Sequence, residues 1–395
     1  MAEQTIHFDV IVVGAGLMGS AAARHLAEAG ARVALIGPAE PDLKAPHTGV
    51  FASHYDQARI TRKLDSNGDW SRLAEAAIER YGEIEQKGQR RFFHPVGAMM
   101  AGPETGAGKD FIQKCRRVAR QRAIPHEALR ADRLQARFPY FSFPDGVLAL
   151  YEQSGAGWLN PRDHVLAEIA AATAQGASLY RSEVVEIMAE VDHERVICAD
   201  GTEVTGAKVI VACGAFSKAA GLLAEPVEMK VCARTIAFVE ITEREADRLH
   251  DMPSLVYLSP DLSCDAYILP PVRYADGKTY LKIGGDPVDV ELETVADMKA
   301  WFRGDGNPEV GQRLADQLLT LMPDLSYRSI SFGSCATSFT PTGTPLIYPQ
   351  TDRRIALTGG NGASAKCADE LGRLAALVAC GKSLSSEGYE STFKP

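Results

Sequence analysis

The first forty residues contain the feature that most constrains the fold of this chain. An apolar run at residues 9–13 leads directly into the sequence GAGLMG, and a stretch of small residues up to Ala29 is followed by a second apolar run at residues 32–36. This order predicts a strand, a glycine turn, a helix and a second strand, the opening unit of a dinucleotide-binding fold. Gly14 allows the tight turn, Gly16 lets a pyrophosphate approach the backbone, and Gly19 lets the helix lie close to the sheet.

The end of the second predicted strand departs from the usual pattern. Such units normally carry Asp or Glu there to bind the ribose hydroxyls, whereas this chain has Gly37 followed by Pro38. Glu40 is the nearest carboxylate for that contact. FAD is held by several segments of a chain and tolerates this loss better than NAD does. We therefore expect FAD, and a nicotinamide dehydrogenase fits the sequence less well.

The composition disfavours several kinds of partner. The 395 residues carry a formal net charge of −9 without a block of Lys and Arg, so neither nucleic acid nor an anionic membrane is expected. The eight cysteines show no CxxC or CxxH spacing, which argues against a zinc site and against a disulfide framework. No charged and then apolar leader precedes the first strand, and no apolar run approaches the roughly 18 residues of a membrane helix. We expect a cytoplasmic protein.

Two further glycine turns indicate that distant segments return to the same ligand. Residues 208–214 read as a strand ending in Gly214, with a helix opening at Ala215; the alternative is a buried strand that happens to end in glycine. Near the other end, residues 354–358 read as a strand and residues 365–379 as a helix, separated by a turn that contains Gly359, Gly360 and Gly362. We therefore expect the two ends of the chain to meet around one ligand.

The remaining patterns predict a second sheet and an interwoven arrangement. Residues 227–241 and 255–283 are strand-like with polar turns, which indicates an antiparallel sheet. Residues 41–66 are expected to be irregular. Helices are expected at 70–86, 109–121, 162–175, 295–303 and 308–321, and a short helix with its approach at 125–138. The predicted fold is mixed α/β (α+β), with a Rossmann FAD-binding domain of the glutathione reductase type interwoven with an antiparallel-sheet substrate domain. The FAD-binding domain is assigned residues 1–90, 151–225 and 331–395, and the substrate domain residues 91–150 and 226–330.

Six segments, taken in order, resemble one family of flavoenzymes. They are FDVIVVGAGLMGSAAA, SHYDQARITR, VIVACGAFS, YLKIGG, SCATSFTPTGTPLI and LTGGNGASAK. They resemble the monomeric sarcosine oxidase and N-methyltryptophan oxidase family, which belongs to the D-amino-acid-oxidase-like flavoproteins. The glycine turns at the two ends are shared by that wider group and indicate FAD, whereas the matches at Cys335, Lys282 and Lys366 are narrower.

The resemblance implies roles for residues around the flavin. Cys335 matches the cysteine that forms a thioether to the flavin methyl group, which implies covalent FAD. Lys282 matches a lysine near flavin N5 that assists the reaction with oxygen, where a cation stabilises superoxide as it forms. Arg59 matches an arginine beside the flavin face, and Tyr267 matches a retained tyrosine. Tyr55 stands where the family has a histidine.

The resemblance also implies a substrate site. Arg62 and Lys366 match the pair that binds the amino-acid carboxylate, one as a bidentate fork and one as a point charge; alternatively, Arg62 pairs with an acidic surface residue and Lys366 with a cofactor phosphate. Gly285 and Asp286 replace an aromatic–His pair, so the pocket should differ from that of a sarcosine oxidase, and Asp286 favours a substrate with a second cationic group. The predicted cofactor-binding residues are Gly14, Gly16, Gly19, Ser53, Val184, Gly214, Cys335, Gly359, Gly360, Gly362 and Lys366.

The first functional hypothesis is an FAD-dependent oxidase of a secondary amine, an N-methylated or cyclic amino acid. The free-base amine would give hydride equivalents to the flavin, water would hydrolyse the imine, and oxygen would be reduced to hydrogen peroxide. A dehydrogenase of the same fold and a non-catalytic flavin-binding protein are the alternatives; Lys282 favours the oxidase, and Arg62 with Lys366 favours an enzyme. The expected partners are a small amine or amino acid and oxygen, and the expected state is a monomer or weak homo-oligomer.

Overall fold

The chain folds into two large sheets with helices packed against them. The computed structural model describes residues 7–260, 265–286 and 288–395, so residues 261–264 of the predicted antiparallel stretch lie outside the described part. The strands are β1 (His7–Val13), β2 (Val33–Ile36), β3 (Arg59–Thr61), β4 (Phe93–His94), β5 (Ala98–Pro103), β6 (Glu127–Arg130), β7 (Val147–Glu152), β8 (Gly157–Leu159), β9 (Ser178–Tyr180), β10 (Val184–Ala189), β11 (Glu194–Cys198), β12 (Glu203–Val211), β13 (Lys230–Ile241), β14 (Ser254–Tyr257), β15 (Ala266–Arg273), β16 (Thr279–Gly284), β17 (Val290–Glu291), β18 (Tyr327–Phe339), β19 (Leu346–Pro349) and β20 (Arg354–Thr358). The helices are α1 (Leu17–Glu28), α2 (Gly68–Gly88), α3 (Lys109–Gln121), α4 (Ala131–Arg137), α5 (Pro161–Ala174), α6 (Glu243–Arg248), α7 (Val295–Arg303), α8 (Pro308–Leu321) and α9 (Ala368–Ala379), and short 3-10 helices lie at Gly214–Lys218 and Ser364–Cys367.

The first sheet brings the predicted glycine turns to one edge. β1 is parallel to β2 and β12, with Val13 opposite both Ile36 and Val211. The strand order is β10-β11-β12-β1-β2-β9, with β20 parallel to β12 and β19 beside β20. Parallel strands end at the same edge of a sheet, so the turns after β1, β12 and β20 meet there. The two ends of the chain therefore come together, as the glycine turns predicted.

The second sheet is mostly antiparallel and is organised around β13. This strand pairs with β16, β17 and β18, and the order along the sheet is β17-β13-β16-β15-β14-β5-β7-β6. Only the pairing of β14 with β5 is parallel among the described strands of this sheet. The register of β13 with β18 sets Arg234 opposite Cys335, so these two side chains lie on the same face.

Local sequence signals explain where several helices begin. The Asn67 side chain accepts hydrogen bonds from two N–H groups in the first turn of α2, and Asn307 does the same for α8, which starts at Pro308. The first helix, α1, packs closely against α9, since a Cβ added at Gly372 would lie 2.5 Å from the Cβ of Ala21. Small residues on α1 thus allow the close approach of helix to sheet and helix to helix.

Most of the predicted helices are confirmed, but one strand was missed and two predictions are wrong. The short helix expected within residues 125–138 is α4, but its approach contains an edge strand, Glu127–Arg130 on β7, that was not predicted. Residues 41–66 are not wholly irregular, because Arg59–Thr61 pairs with β8. The helix expected from Ala215 is a single 3-10 turn that ends at Lys218. In the first two cases, pairing with a strand distant in sequence decides the local structure.

No helix in the described part of the chain is both long and apolar enough to cross a membrane. Among the same residues no cluster of three or more His, Cys, Asp or Glu side chains has the arrangement of a metal site. The cysteines of the described ranges are free thiols. The predicted domain boundaries stay a proposal, and β18 crosses the one placed between residues 330 and 331.

Candidate cofactor and substrate site

A cavity of about 610 Å³ lies where the edges of the two sheets meet. Its wall takes residues from the turns after β1, β12 and β20, from residues 50–55 and from β13 and β18. The predicted site residues Gly19, Lys282 and Gly359 are not among the residues that line it. The predicted site residues that line the cavity are Gly14, Gly16, Ser53, Tyr55, Arg59, Arg62, Val184, Gly214, Tyr267, Asp286, Cys335, Gly360, Gly362 and Lys366.

The turn after β1 forms a cradle of backbone at one part of the cavity. Gly14 has φ +111°, and a Cβ there would lie 2.4 Å from the carbonyl oxygen of Ala212. Gly16 precedes α1, which has neither a side-chain cap nor an acidic residue in its first turn. The N–H groups of that turn and the positive end of the helix dipole are therefore available to an anion such as a pyrophosphate.

Two glycines behind the cradle have packing roles. A Cβ at Gly19 would lie 1.8 Å from the carbonyl oxygen of Gly14, so only glycine lets the helix follow the turn this closely. A Cβ at Gly37 would lie 2.5 Å from the backbone nitrogen of Ala15. The close contact between Gly37 and the turn after β1 therefore requires glycine at this position, where an acidic residue is usual. Glu40 is engaged by the Arg162 guanidinium at 2.6 Å and 2.7 Å, so it does not face the cavity freely.

Cys335 lies on β18 at the cavity wall and is held from two sides. The indole Nε1 of Trp301, on α7, donates to the Cys335 carbonyl oxygen at 2.7 Å. The guanidinium of Arg59 approaches its sulfur, with 3.9 Å from Nη2 to Sγ. Arg234, the cross-strand neighbour, lies over the Phe339 ring and pairs with Asp289. The Cys335 sulfur thus lies on the cavity wall with the Arg59 guanidinium as its charged neighbour.

Behind Arg59 lies a buried group of charges centred on Asp56. The Lys282 ammonium donates to Asp56 Oδ2 at 2.6 Å and to the Ala58 carbonyl oxygen. The Arg59 guanidinium contacts the same carboxylate, and the Tyr274 hydroxyl donates to Oδ1 at 3.1 Å. Burial and the Arg59 guanidinium act to lower the pKa of Lys282, but the Asp56 carboxylate, 2.6 Å from its Nζ, favours the protonated ammonium and keeps the pair charged.

Arg62 and Lys366 come together at a second buried carboxylate, Asp65. Lys366 Nζ donates to Asp65 Oδ2 at 3.0 Å and to the Trp70 carbonyl oxygen at 3.2 Å, and Arg62 Nη2 lies 3.5 Å from the same carboxylate oxygen. Burial raises the pKa of the Asp65 carboxyl, but Lys366 and Arg62 outweigh this effect and hold the pKa below its usual value. The predicted pair is thus adjacent, with two cations and one anion at the cavity wall.

The wall near Tyr267 explains one departure from the family pattern, the glycine at position 285. A Cβ at Gly284 would lie 2.4 Å from the Tyr267 hydroxyl, and a Cβ at Gly285, whose φ is +141°, would lie 2.1 Å from the carbonyl oxygen of Asp265. Glycine is therefore needed at both positions. The next residue, Asp286, lines the cavity. Its carboxylate accepts a hydrogen bond from the Val288 N–H group at 3.0 Å and a longer one, at 3.4 Å, from the N–H group of Thr235 on β13.

Three uncharged side chains around the cavity stay uncharged over the physiological pH range. Burial raises the pKa of Tyr267 to about 12, although Arg59 acts against the shift. Burial likewise raises the pKa of Tyr55 to about 12, and its hydroxyl donates to the Ala39 carbonyl oxygen at 3.3 Å. Burial, helped by nearby arginines, lowers the pKa of His54 to about 3. None of these three rings therefore serves as a proton acceptor with a pKa near neutrality.

The family described as DAO, FAD dependent oxidoreductase, matches residues 9–377 of the chain. The chain belongs to this family. It is an FAD-dependent oxidoreductase, and the predicted mixed α/β fold with a Rossmann-type FAD domain is confirmed. The fit is visible in the structure, because the uncapped start of α1 and the open face of Gly16 form a cradle for the pyrophosphate, and Arg59 and Cys335 lie on the same cavity wall.

Two named relatives support the narrower resemblance. The chain is 28% identical to monomeric sarcosine oxidase of Bacillus sp. (strain B-0618) over 258 residues, which are 65% of this chain and 64% of that enzyme, less than two thirds of its length. It is 26% identical to N-methyl-L-tryptophan oxidase of Yersinia pestis (strain Pestoides F) over 376 residues, which are 94% of this chain and 95% of that enzyme. The chain is thus similar to both of these oxidases, and over nearly its whole length to the second.

Solved structures share the fold over nearly the whole chain. NikD, an unusual amino acid oxidase essential for nikkomycin biosynthesis, has a TM-score of 0.76 at 19% identity and covers 99% of this chain and 98% of its own. L-proline dehydrogenase from P. horikoshii has a TM-score of 0.74 at 16% identity and covers 96% of this chain and 95% of its own. These neighbours establish architecture.

Sequence reasoning missed five residues that shape the site, namely Asp56, Asp65, Arg234, Trp301 and His54. The two aspartates had a local signal, since each stands three residues from an arginine in the same segment, Asp56 before Arg59 and Asp65 after Arg62. Opposite charges at that spacing are candidates for ion pairs. The other contacts join segments far apart in the chain and leave no local pattern.

Proposed function

We propose that this DAO protein oxidises a secondary amino acid, with an N-methylated or cyclic amine, to an imine and passes the electrons to oxygen to give hydrogen peroxide. One observation supports this proposal most strongly: the cations of Arg62 and Lys366 meet on the wall of the cavity that also carries the glycine cradle. The names of the two relatives, sarcosine oxidase and N-methyl-L-tryptophan oxidase, agree with a substrate that has both a carboxylate and a secondary amine.

The proposed carboxylate site uses donors that remain on Arg62. A guanidinium has five N–H donors, and within the described residues the Nε of Arg62 contacts the Met100 sulfur at 2.8 Å while its Nη2 faces Asp65. The Nη1 group is left for a ligand. The Asp65 carboxylate keeps Arg62 and Lys366 in place and offsets one of their two charges, so the pair presents one net positive charge to a substrate anion.

The FAD, when bound, accepts hydride equivalents from the carbon beside the amine nitrogen. The chain orients that carbon through the carboxylate grip and excludes water with the apolar wall that includes Val256, Ile236 and Tyr267. No buried imidazole is needed as a base if the amine enters unprotonated. The carboxylate of Asp286 lies on the wall, where it would favour a substrate with a second cationic group.

We further propose that FAD is attached through Cys335, whose sulfur lies beside Arg59 and whose backbone carbonyl group is held by Trp301. The proposed action of Lys282 on oxygen is electrostatic, because Lys282 is not among the residues that line the cavity and its ammonium is paired with Asp56. That same pairing favours the second candidate, a dehydrogenase of this fold that uses another electron acceptor. Monomeric or weakly oligomeric behaviour stays a proposal.

Matched substrates test the carboxylate grip. We expect N-methyl-L-tryptophan or L-proline to exceed its decarboxylated analogue, N-methyltryptamine or pyrrolidine, by roughly 10²-fold in kcat/KM, as a charge-assisted contact worth about 3 kcal/mol implies. Arg62→Ala should erase the preference. Arg32→Ala is the control, because Arg32 is a surface residue paired with Asp9 and its side chain is 63% exposed. Equal turnover of acid and amine by the wild-type enzyme would reopen the substrate class.

A further inference from the structure

A buried carboxylate beside the cavity has no role in the reaction as proposed so far. Asp56 is 6% exposed, and its two oxygens serve four partners: the Lys282 ammonium, the Arg59 guanidinium, the Tyr274 hydroxyl and the Gln57 backbone N–H. A carboxylate used only to stabilise a surface loop would not draw two cations into the interior. Its position therefore calls for an electrostatic explanation.

The charges around Asp56 sum to one positive unit. Lys282 is 1% exposed, and besides Asp56 its ammonium contacts only the Ala58 carbonyl oxygen among the described residues. An unpaired ammonium at such a position would be strongly destabilised. Asp56 compensates one cation, and the remaining positive charge reaches the cavity through Arg59, which lies on the wall 3.9 Å from the Cys335 sulfur.

We propose that Asp56 is a positioning residue that joins Lys282 to Arg59 and limits the positive charge at the flavin ring to one unit. The inference rests on the proposed function to the extent that FAD occupies the cavity with its ring beside Arg59 and Cys335. Reduced flavin carries more negative charge than oxidised flavin, so each added cation beside the ring favours the reduced form. Asp56 thus sets the redox equilibrium of the cofactor without touching it.

Replacements at Asp56 and Lys282 change this charge in a known order. Asp56→Asn raises the local charge from one unit to two, Lys282→Met lowers it to zero, and the double variant returns it to one. A neighbouring unit charge typically shifts an ionisation equilibrium by at least tenfold, and tenfold corresponds to about 30 mV for a two-electron couple. The midpoint potential of the bound flavin should therefore rise in Asp56→Asn and fall in Lys282→Met, each by about 30 mV or more.

The experiment uses purified holoenzyme and two spectroscopic measurements. Dye-equilibrated reductive titration gives the midpoint potential, and a visible pH titration gives the pKa of the flavin N3–H, which should fall by about one unit in Asp56→Asn. Asp289→Asn is the matched control, because this carboxylate pairs with Arg234 near the cavity but is 60% exposed. Because solvent screens this exposed charge, Asp289→Asn should change the flavin redox equilibrium less than about twofold.

The double variant makes the test decisive even where Asp56→Asn does not accumulate as folded protein. Removing both Asp56 and Lys282 leaves Arg59, on the cavity wall, as the remaining charge of the group. The flavin redox equilibrium constant of the double variant should then lie within about threefold of the wild-type value, whereas that of Lys282→Met alone should not. If the double variant matches Lys282→Met, or if Asp56→Asn leaves the potential unchanged, the inference is overturned and Asp56 is structural. A wild-type protein without flavin bands would instead overturn the proposed function itself.

Discussion

Alanine at Gly16 should weaken FAD binding with little effect on folding, whereas alanine at Gly14 should destabilise the fold. A Cβ at Gly16 would meet no protein atom closer than the His54 Nδ1, at 3.7 Å, and the φ of −92° suits alanine. The added methyl group would occupy space on the cavity side of the turn, where the pyrophosphate has to approach the backbone. At Gly14 the Cβ would overlap the Ala212 carbonyl group, in a backbone conformation that alanine rarely adopts.

The structure gives the size of each effect. For Gly16→Ala we expect the free energy of unfolding of the FAD-free protein to change by less than about 1 kcal/mol, since only a helix N-cap preference is altered. For Gly14→Ala we expect a loss of about 3 kcal/mol or more, which combines roughly 1–3 kcal/mol of backbone strain with a similar cost of overpacking. FAD affinity should fall at least tenfold, or about 1.4 kcal/mol, in Gly16→Ala.

Two assays separate these effects. In a Cys335→Ser background, which allows FAD to be removed, urea unfolding reports the stability of each FAD-free variant and flavin fluorescence quenching reports its affinity for FAD. If Gly16→Ala binds FAD as tightly as its parent, the turn after β1 does not hold the pyrophosphate. If Gly14→Ala is as stable as its parent, the geometry of that turn has been misread.

Three further predictions concern other parts of the site. Cys335→Ser should release flavin on acid precipitation while the wild-type polypeptide keeps it; loss of all flavin from the wild type would exclude the covalent link. Lys282→Met should slow re-oxidation by oxygen roughly 100-fold, a loss of about 2.7 kcal/mol, and keep flavin reduction by substrate within about tenfold; equal slowing in stopped-flow traces would make Lys282 structural. His54 has its pKa lowered to about 3 in the folded protein, so the unfolded chain binds a proton first and stability should fall as pH drops below about 6.5, by at most about 1.4 kcal/mol per pH unit. Urea unfolding at pH 7 and pH 5 should show a smaller loss for His54→Asn, and equal losses would contradict the assignment.

The fold was predictable where local sequence and tertiary structure agree. The turn through Gly14 and Gly16 has strand before it and helix after it, and α3, α7 and α8 have the predicted bounds, with clear caps at α7 and α8. The strand Glu127–Arg130 was missed because only one of its residues is buried and its pairing partner lies on β7. A short edge strand of this kind has no alternating pattern to recognise.

The sequence predicted most residues of the site but not the ion pairs that they form. Resemblance drew attention to Arg62 and Lys366, yet the carboxylate that joins them, Asp65, is fixed by the fold over a separation of 301 residues. Lys282 was expected to face the flavin, and the proximity of Asp56 across 226 residues could not be read from the sequence. Gly285 looked like the loss of an aromatic residue, whereas the close approach of the Asp265 carbonyl group requires glycine.

Anaerobic mixing with a secondary amino acid tests the central claim most directly. The purified protein should show flavin absorbance bands, and under nitrogen an N-methylated or cyclic amino acid should bleach them. Admission of air should restore the colour and release about one hydrogen peroxide per flavin reoxidised, as expected for a two-electron oxidase. A yellow protein that no such amino acid bleaches, or one that is bleached but not recoloured by oxygen, would contradict the assignment as an amino-acid oxidase.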